Sequence, residues 1–341
     1  MIAGIVLVTG AAGGVGQRLC HVLSRHGFRV RGLVRPEDDT RRLELRGEDL
    51  CVGYVQDPEC VRRAMRGVDT VIHSAALLPN ALELGPRAFQ EVNVEGTRNI
   101  MQQAIAHRVK WVIAMSTISV VDHVTRTITR GDLLDYVSPP TDHYLASKIE
   151  AEKLLFALRP GFGGEVAILR LAYVYGPGNF AVWREPLRLL EQGKLRLIGD
   201  GKISFPLIYA DDIGNFVVGL LGEATHNEHP SIHVLANPQP TTLRSVFDFI
   251  ADHLGIARPG RLPLWLARLA ASVVDTLPLG WRPGRLKMLT RARVLQFSSG
   301  YDLTPILSGQ SFGQTRLTPY QEGLPIMLAD YTARERVRVK P

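Results

Sequence analysis

The sequence predicts an α/β protein built on a doubly wound parallel sheet, with a smaller α+β lobe supplied by the second half of the chain. Three observations carry this reading. Short apolar runs alternate with amphipathic stretches through the first half, a glycine-rich turn follows the first apolar run directly, and the alternation loosens after Gly176. Strand and helix signals that alternate in this way describe βαβ units, which assemble into a parallel sheet covered by helices on both faces.

Strands are expected at residues 5–9, 29–34, 50–54, 70–73, 110–115 and 166–170, six in all and mutually parallel. Helical spacing marks 16–26, 58–66, 88–107 and 142–158 between them. Asp57 before Pro58 reads as an N-cap with proline at the first helical position, and Gly27 as the residue that ends the first helix. Residues 1–175 are therefore taken as a dinucleotide-binding domain and 176–341 as a substrate lobe, some of whose elements return to the first domain. Helices in the lobe are expected at 183–192, 211–221, 243–254 and 264–275.

The chain carries a formal charge of +7, yet only seven of its forty basic residues are Lys and the Arg are scattered without a run. A nucleic-acid partner is not expected, since such a footprint clusters on one face. A phosphate-bearing cofactor accounts for part of the charge. Cys20, Cys51 and Cys60 lack C-x-x-C spacing, and His226, His229 and His233 lack companion ligands, so no metal is expected and a reducing, cytoplasmic compartment is. The opening MIAGIVLVTG has no basic leader and runs into the glycine turn, which makes it a buried strand and not a signal peptide.

That turn, Thr9 through Gly16, is the first motif with chemistry in it. Gly10, Gly13 and Gly16 let the backbone turn tightly, while Ala12, Gly14 and Val15 keep it open to a pyrophosphate seated on free N–H groups at a helix N-terminus. Such a T-G-x-x-G-x-x-G segment is the mark of a Rossmann-type dinucleotide site. At the end of the second strand an acid would bind the adenosine ribose of NAD, whereas an Arg accepts the 2′-phosphate of NADP. Val34 and Arg35 stand there, which favours NADP, with NAD left open by Glu37 and Asp38.

Further segments follow in order: His73-Ser74-Ala75-Ala76, Asn93-Val94-Glu95-Gly96-Thr97, Ser116-Thr117, Tyr144-Leu145-Ala146-Ser147-Lys148, Arg170 through Pro177, Gly199-Asp200-Gly201 and Asp211-Asp212. Together they resemble the extended short-chain dehydrogenase/reductases, the branch of NAD(P)-dependent epimerases, dehydratases and 3β-hydroxysteroid dehydrogenase-like enzymes, over nearly the whole chain. The resemblance implies that Ala75 and Ala76 leave backbone room for the cofactor and that His73 packs. It also implies that Tyr54, Val55 and Val174 line the cofactor site, with Tyr54 replacing the usual adenine contact.

Tyr144 and Lys148 are four residues apart in a helical stretch, so they share a face and the ammonium can stand near the phenol. A free phenol titrates near pH ~10, and a neighbouring cation together with the oxidised nicotinamide is expected to draw it down. By resemblance Thr117 holds the substrate oxygen, with Ser116 as the neighbouring alternative, and Asn93 maintains a water-linked proton relay to Lys148.

Sugar-nucleotide members of the family carry an Arg shortly after the G-D-G turn, where Phe205 stands here beside Pro206. An apolar substrate, such as a steroid, a long-chain keto compound or an aromatic ketone, is therefore expected against Trp183, Phe205 and a lid-like helix at 262–277, with Arg184 able to bind an anionic group. Nucleotide-sugar epimerisation or dehydration is the alternative, and a non-catalytic dinucleotide sensor a further one. By analogy the protein is a homodimer packing the 88–107 and 142–158 helices. Arg261, Arg268 and Asp275 interrupt the apolar stretch and its runs are too short to span a bilayer, so a core or lid helix is expected there and not a transmembrane one, with contact at a membrane surface left open but not favoured.

Overall fold

The computed structural model describes residues 4–45, 47–121, 128–140, 142–222, 228–277, 290–307 and 316–339. The first half runs β1 (Ile5–Thr9), α1 (Gly14–Arg25), β2 (Arg29–Val34), β3 (Leu50–Val52), α2 (Pro58–Ala64), β4 (Val68–His73), α3 (Gly85–Phe89), α4 (Gly96–Ala106), β5 (Trp111–Thr117), α5 (His143–Leu158) and β6 (Glu165–Leu171). The second half adds β7 (Tyr173–Tyr175), α6 (Arg184–Glu191), β8 (Arg196–Ile198), β9 (Leu207–Tyr209), α7 (Ala210–Leu221) and β10 (Ser231–Leu235). It continues with α8 (Leu243–Leu254), β11 (Gly260–Leu262), α9 (Leu264–Thr276), α10 (Arg291–Ser299), α11 (Thr304–Leu307) and α12 (Tyr320–Val339).

The main sheet is Rossmann-like, in the order β10-β6-β5-β4-β1-β2-β3, with every neighbouring pair parallel. All seven residues of β6, EVAILRL, are buried, as a central parallel strand covered on both faces requires. One apolar cluster fills the α1 and α7 face and a second the α2 and α4 face, with α5 packed beside α4 and contributing to both. Because the chain runs from β1 outward to β3 and then returns to β4 on the other side of β1, a crevice opens at the carboxyl ends of β1 and β4.

Local signals hold where the sequence carries them. Asp57 accepts a hydrogen bond from the backbone N–H of Glu59 at 2.9 Å, and Asp142 caps α5 by accepting from Leu145 at 2.8 Å. Two expectations need correction. The sheet has seven strands and not six, because residues 231–235, expected as part of a loop, form β10 on the β6 edge. The helix expected over 88–107 is interrupted by a π turn at Gln90–Glu95, with α3 before it and α4 after it. Packing causes both differences: β10 finds an open parallel edge, and the wide turn carries a buried Asn93 whose amide is used elsewhere in the fold.

In the lobe, β8 pairs with β11 and β7 with β9, and an aromatic core joins Tyr175, Phe180, Trp183, Phe205 and Phe247 to α8 and α12. Arg18 on α1 holds Asp211 on α7 by two hydrogen bonds of 2.6 and 2.7 Å, and Asp212 accepts from the N–H and hydroxyl of Thr318. The acidic pair thus ties the lobe to the sheet. Burial lifts the Asp212 carboxyl to about 6 against the two Thr318 bonds, which pull the other way.

Candidate active site

The glycine turn leaves β1 and opens α1. Gly10 takes a left-handed φ of 65°, and a Cβ there would lie 2.8 Å from the Cα of Ala75. At Gly16 a Cβ would fall 2.1 Å from the carbonyl oxygen of Gly10. Each position therefore accepts only hydrogen without moving backbone. Gly13, at the N-cap of α1, has no side chain capping the helix, and the first turn holds no acidic residue. Free N–H groups and an acid-free positive helix end suit a pyrophosphate, so the residues present fit a dinucleotide.

Around that turn the structure gathers the expected neighbours. Thr9 Oγ1 accepts from the N–H of Ala75 at 3.1 Å and shares a 2.8 Å hydrogen bond with His73 Nδ1. The other ring nitrogen of His73 meets Thr97 Oγ1 at 3.0 Å, and burial pushes the imidazole down to about 3. His73 is thus a neutral cross-strand tie. Val55 packs against Gly96 and receives a bond from Asn99 at its carbonyl, and Val174 gives its carbonyl to Asn179 and Trp183. Arg35 lies at the end of β2, with its guanidinium on Asp38 at 2.7 Å and Glu37 at 3.3 Å, while the Tyr54 phenol donates to Glu37 at 3.1 Å.

At the carboxyl end of β5 stands Thr117. Its hydroxyl accepts from the N–H of Ser119 at 3.3 Å and meets Tyr144, half-buried on the first turn of α5. Lys148, one turn further on, is buried and donates to the Met115 carbonyl at 2.5 Å. The expectation of a lowered phenol is corrected here. Burial first, then the Asp142 carboxylate and the neighbouring Tyr301 phenol, push the Tyr144 phenol up, and the Thr117 bond opposes them. Lys148 is pulled down to about 8 by burial, against the Glu152 carboxylate, which holds it up.

Asn93 is held at both ends of its amide. Its Oδ1 accepts from the N–H of Leu77 at 2.7 Å, and its Nδ2 donates to the Leu77 carbonyl at 3.2 Å and to Ser147 Oγ at 2.8 Å. Ser147 in turn donates to the Tyr144 carbonyl. Asn93 therefore anchors the backbone of α5 beside the Tyr144 and Lys148 pair.

Four residues near the centre were not singled out from the sequence: Glu152, Tyr136, Ser119 and Tyr301. Ser116 Oγ donates to Glu152 at 2.5 Å, Tyr136 donates to the same carboxylate at 3.1 Å, and Arg170 grips it from two nitrogens at 2.6 and 3.1 Å. Both members of the Glu152–Arg170 pair are buried. Ser116 is thus spent on this network, leaving Thr117 as the hydroxyl that faces Tyr144. Glu152 follows Lys148 by four residues on the same helix face, a spacing that was open to reading. Tyr301 carried no such signal; it reaches Ser119 Oγ at 2.9 Å across 182 residues of sequence separation.

Of the expected substrate contacts, Phe205 stacks on Tyr173 at 4.1 Å, and Tyr173 meets Tyr301 edge-on at 5.9 Å. Trp183 sits behind Phe205 in the lobe core with its indole N–H on the Val174 carbonyl. Arg184 is exposed at the start of α6, where its charge faces Arg334. His229 is exposed and His233 lies in β10, while His226 falls outside the described residues. Among the described residues no three His, Cys, Asp or Glu side chains gather as metal ligands.

Residues 6–236 match the model of the NAD dependent epimerase/dehydratase family. The chain belongs to this family. It is accordingly an NAD-dependent enzyme of the epimerase/dehydratase type, acting on a small molecule. A 4-hydroxy-2-methyl-3-oxo-4-farnesyl-3,4-dihydroquinoline-1-oxide ketoreductase from Stigmatella aurantiaca is 26% identical over 277 residues, covering 81% of this chain and 80% of its own. A 3beta-hydroxysteroid-dehydrogenase/decarboxylase from Arabidopsis thaliana is 25% identical over 344 residues, covering 93% of this chain and 77% of its own. Among solved structures, the UDP-glucose 4-epimerase of Thermus thermophilus in complex with NAD superposes with a TM-score of 0.70 at 21% identity, covering 96% of this chain and 99% of the other. At that identity the likeness speaks for the fold alone.

Proposed function

We propose that the protein reduces a carbonyl, or oxidises the matching secondary alcohol, on a largely apolar substrate, with NADP(H) as the preferred cofactor. The observation that carries this reading is the aromatic wall. Phe205 occupies the position where sugar-nucleotide members of the family carry an Arg, and the Phe205–Tyr173–Tyr301 series runs from the lobe to Ser119, next to Thr117. A diphosphate finds no guanidinium fork there; Phe205 and Tyr301 are buried, and the half-buried Tyr173 between them offers the apolar face that an alkyl chain or fused ring would use. The ketoreductase relative, whose name records a farnesylated substrate, supports the same direction.

The nicotinamide, when bound, supplies or accepts the hydride. Thr117 orients the substrate oxygen, and Tyr144 passes its phenolic proton to that oxygen in reduction or takes one back in oxidation. Lys148, held on the Met115 carbonyl, places positive charge beside the phenol and favours its ionised form at the moment of transfer. Asn93 and the Glu152–Arg170 pair hold α5 so that these groups keep their spacing.

Substrate class is tested by following nicotinamide absorbance with a series of 3-keto acyl compounds of increasing chain length. Each methylene that enters an apolar pocket is worth about 0.8 kcal/mol, so kcat/KM rises about fourfold per carbon until the pocket is full. Low-micromolar binding of UDP-glucose that disappears in Arg184→Ala overturns the assignment in favour of nucleotide-sugar epimerisation or dehydration.

The cofactor preference rests on Arg35. Its fork is already engaged by Asp38, so a 2′-phosphate must compete with a carboxylate for the same guanidinium. A charged hydrogen bond contributes about 1.5–3 kcal/mol, which sets the NADP(H) preference at roughly ten- to a hundredfold. In titration calorimetry Arg35→Ala removes the preference and Asp38→Asn widens it. Equal wild-type affinities for NAD(H) and NADP(H) contradict the assignment.

A further inference from the structure

Helix α9 is packed inside out. Its small residues Ala267 and Ala271 face inward onto Val294 of α10 and Val274 is buried too, while Trp265, Leu269 and Val273 remain 68%, 57% and 56% exposed. Those three are spaced by four residues, so they form one ridge along the helix, with the exposed Leu266 beside it. A helix selected only for the core would bury the tryptophan and the leucines, each worth about 1.5–3 kcal/mol out of water. A contiguous apolar ridge left facing solvent marks a contact surface.

The charge around it identifies the partner. Among the described residues 261–277 and 290–299, four Arg stand against a single acid, Asp275. Arg261 precedes the ridge, Arg268 lies within it, and Arg291 stands at the start of α10, all exposed. A second copy of this chain meeting the ridge face to face would set like charge against like, since a two-fold contact repeats the same patch. Nucleic acid would take the charge and leave the aliphatic ridge unused.

We infer that α9 docks this enzyme on an anionic membrane surface, lying in the plane of the interface with its ridge at the acyl boundary and Arg261 and Arg268 among the headgroups. Thirteen residues of helix span about 20 Å, too short to cross the hydrocarbon, and among the described residues no helix is long and apolar enough to do so. The docked surface communicates with the centre of the enzyme. α10 covers the inner face of α9, and two residues past its end Tyr301 reaches Ser119 beside Thr117.

The test needs no turnover. The full chain is sedimented with vesicles of equimolar phosphatidylcholine and phosphatidylglycerol and, separately, with vesicles of phosphatidylcholine alone. Binding is expected to the anionic vesicles, at least about tenfold weaker to the neutral ones, and to decline with added salt. Replacing Leu269 and Val273 together by Ser lowers the partition coefficient by about tenfold or more. Arg261→Gln and Arg268→Gln each lower it about fivefold on anionic vesicles only. Unaltered thermal unfolding and NADP affinity certify the fold of each variant. Absence of wild-type binding to anionic vesicles overturns the inference, as does binding that both sets of variants retain. A wild-type dimer that Trp265→Ser converts to monomer, with no vesicle association, assigns the ridge to a second copy and overturns it equally.

Discussion

Tyr144→Phe is expected to lower kcat by about three orders of magnitude, within the range that loss of a positioned proton donor costs, while cofactor affinity stays nearly unchanged. The substitution deletes one oxygen from a half-buried side chain on the first turn of α5 and leaves Thr117, Lys148 and the glycine turn in place. What it removes is the phenol that meets the Thr117 hydroxyl. Steady-state rates in both directions, with cofactor titration by fluorescence, measure the two quantities separately. A variant that keeps more than about a tenth of wild-type turnover removes Tyr144 from the proton-transfer role.

The second large effect is on stability. Glu152 and Arg170 form a buried ion pair at 2.6 Å, and the carboxylate also receives the hydroxyls of Ser116 and Tyr136. Arg170 spends a further nitrogen on the Leu133 carbonyl at 2.6 Å. Removing either charge alone strands the other in the interior, at a cost of about 3–5 kcal/mol. Arg170→Met and Glu152→Gln should each unfold in markedly less denaturant, and the double replacement Glu152→Leu with Arg170→Met should be less destabilised than the sum of the single changes. Additive losses would mean that the pair does not act as a unit.

Losing Glu152 also has a kinetic signature. Its carboxylate is the influence that raises the Lys148 ammonium, so its neutral replacement lowers the pH at which that ammonium gives up its proton. Reduction needs the protonated pair, and the alkaline fall in its rate therefore moves to lower pH in Glu152→Gln, provided the variant is assayed well below its unfolding midpoint.

Much of this protein was legible in order along the chain. β1, β2 and the α8 helix lie where the sequence placed them, because strand and helix periods are short-range properties and each segment carries its own boundary residues. The turn from Gly10 to Gly16 was legible as a local glycine pattern, and at Gly16 the need itself is local, since a Cβ there would strike the Gly10 carbonyl; at Gly10 it is the tertiary approach of Ala75 that excludes a side chain. Tyr144 and Lys148 were legible as one turn of one helix, with Thr117 and Asn93 placed by resemblance.

Tertiary structure alone decided the rest. β10 became a strand because an open edge of β6 awaited it, and α7 came back to pack on α1 through the Arg18–Asp211 bridge. The balance that raises the Tyr144 phenol depends on burial and on Tyr301, a residue whose distance from Ser119 no local period encodes. The orientation of α9 was undecided for a related reason. Its sequence is apolar on both faces, and only the packing of Ala267 and Ala271 onto α10 shows that the large side chains are the ones left outside. Periodicity identifies which residues share a face; it takes the neighbouring elements to determine which face is covered.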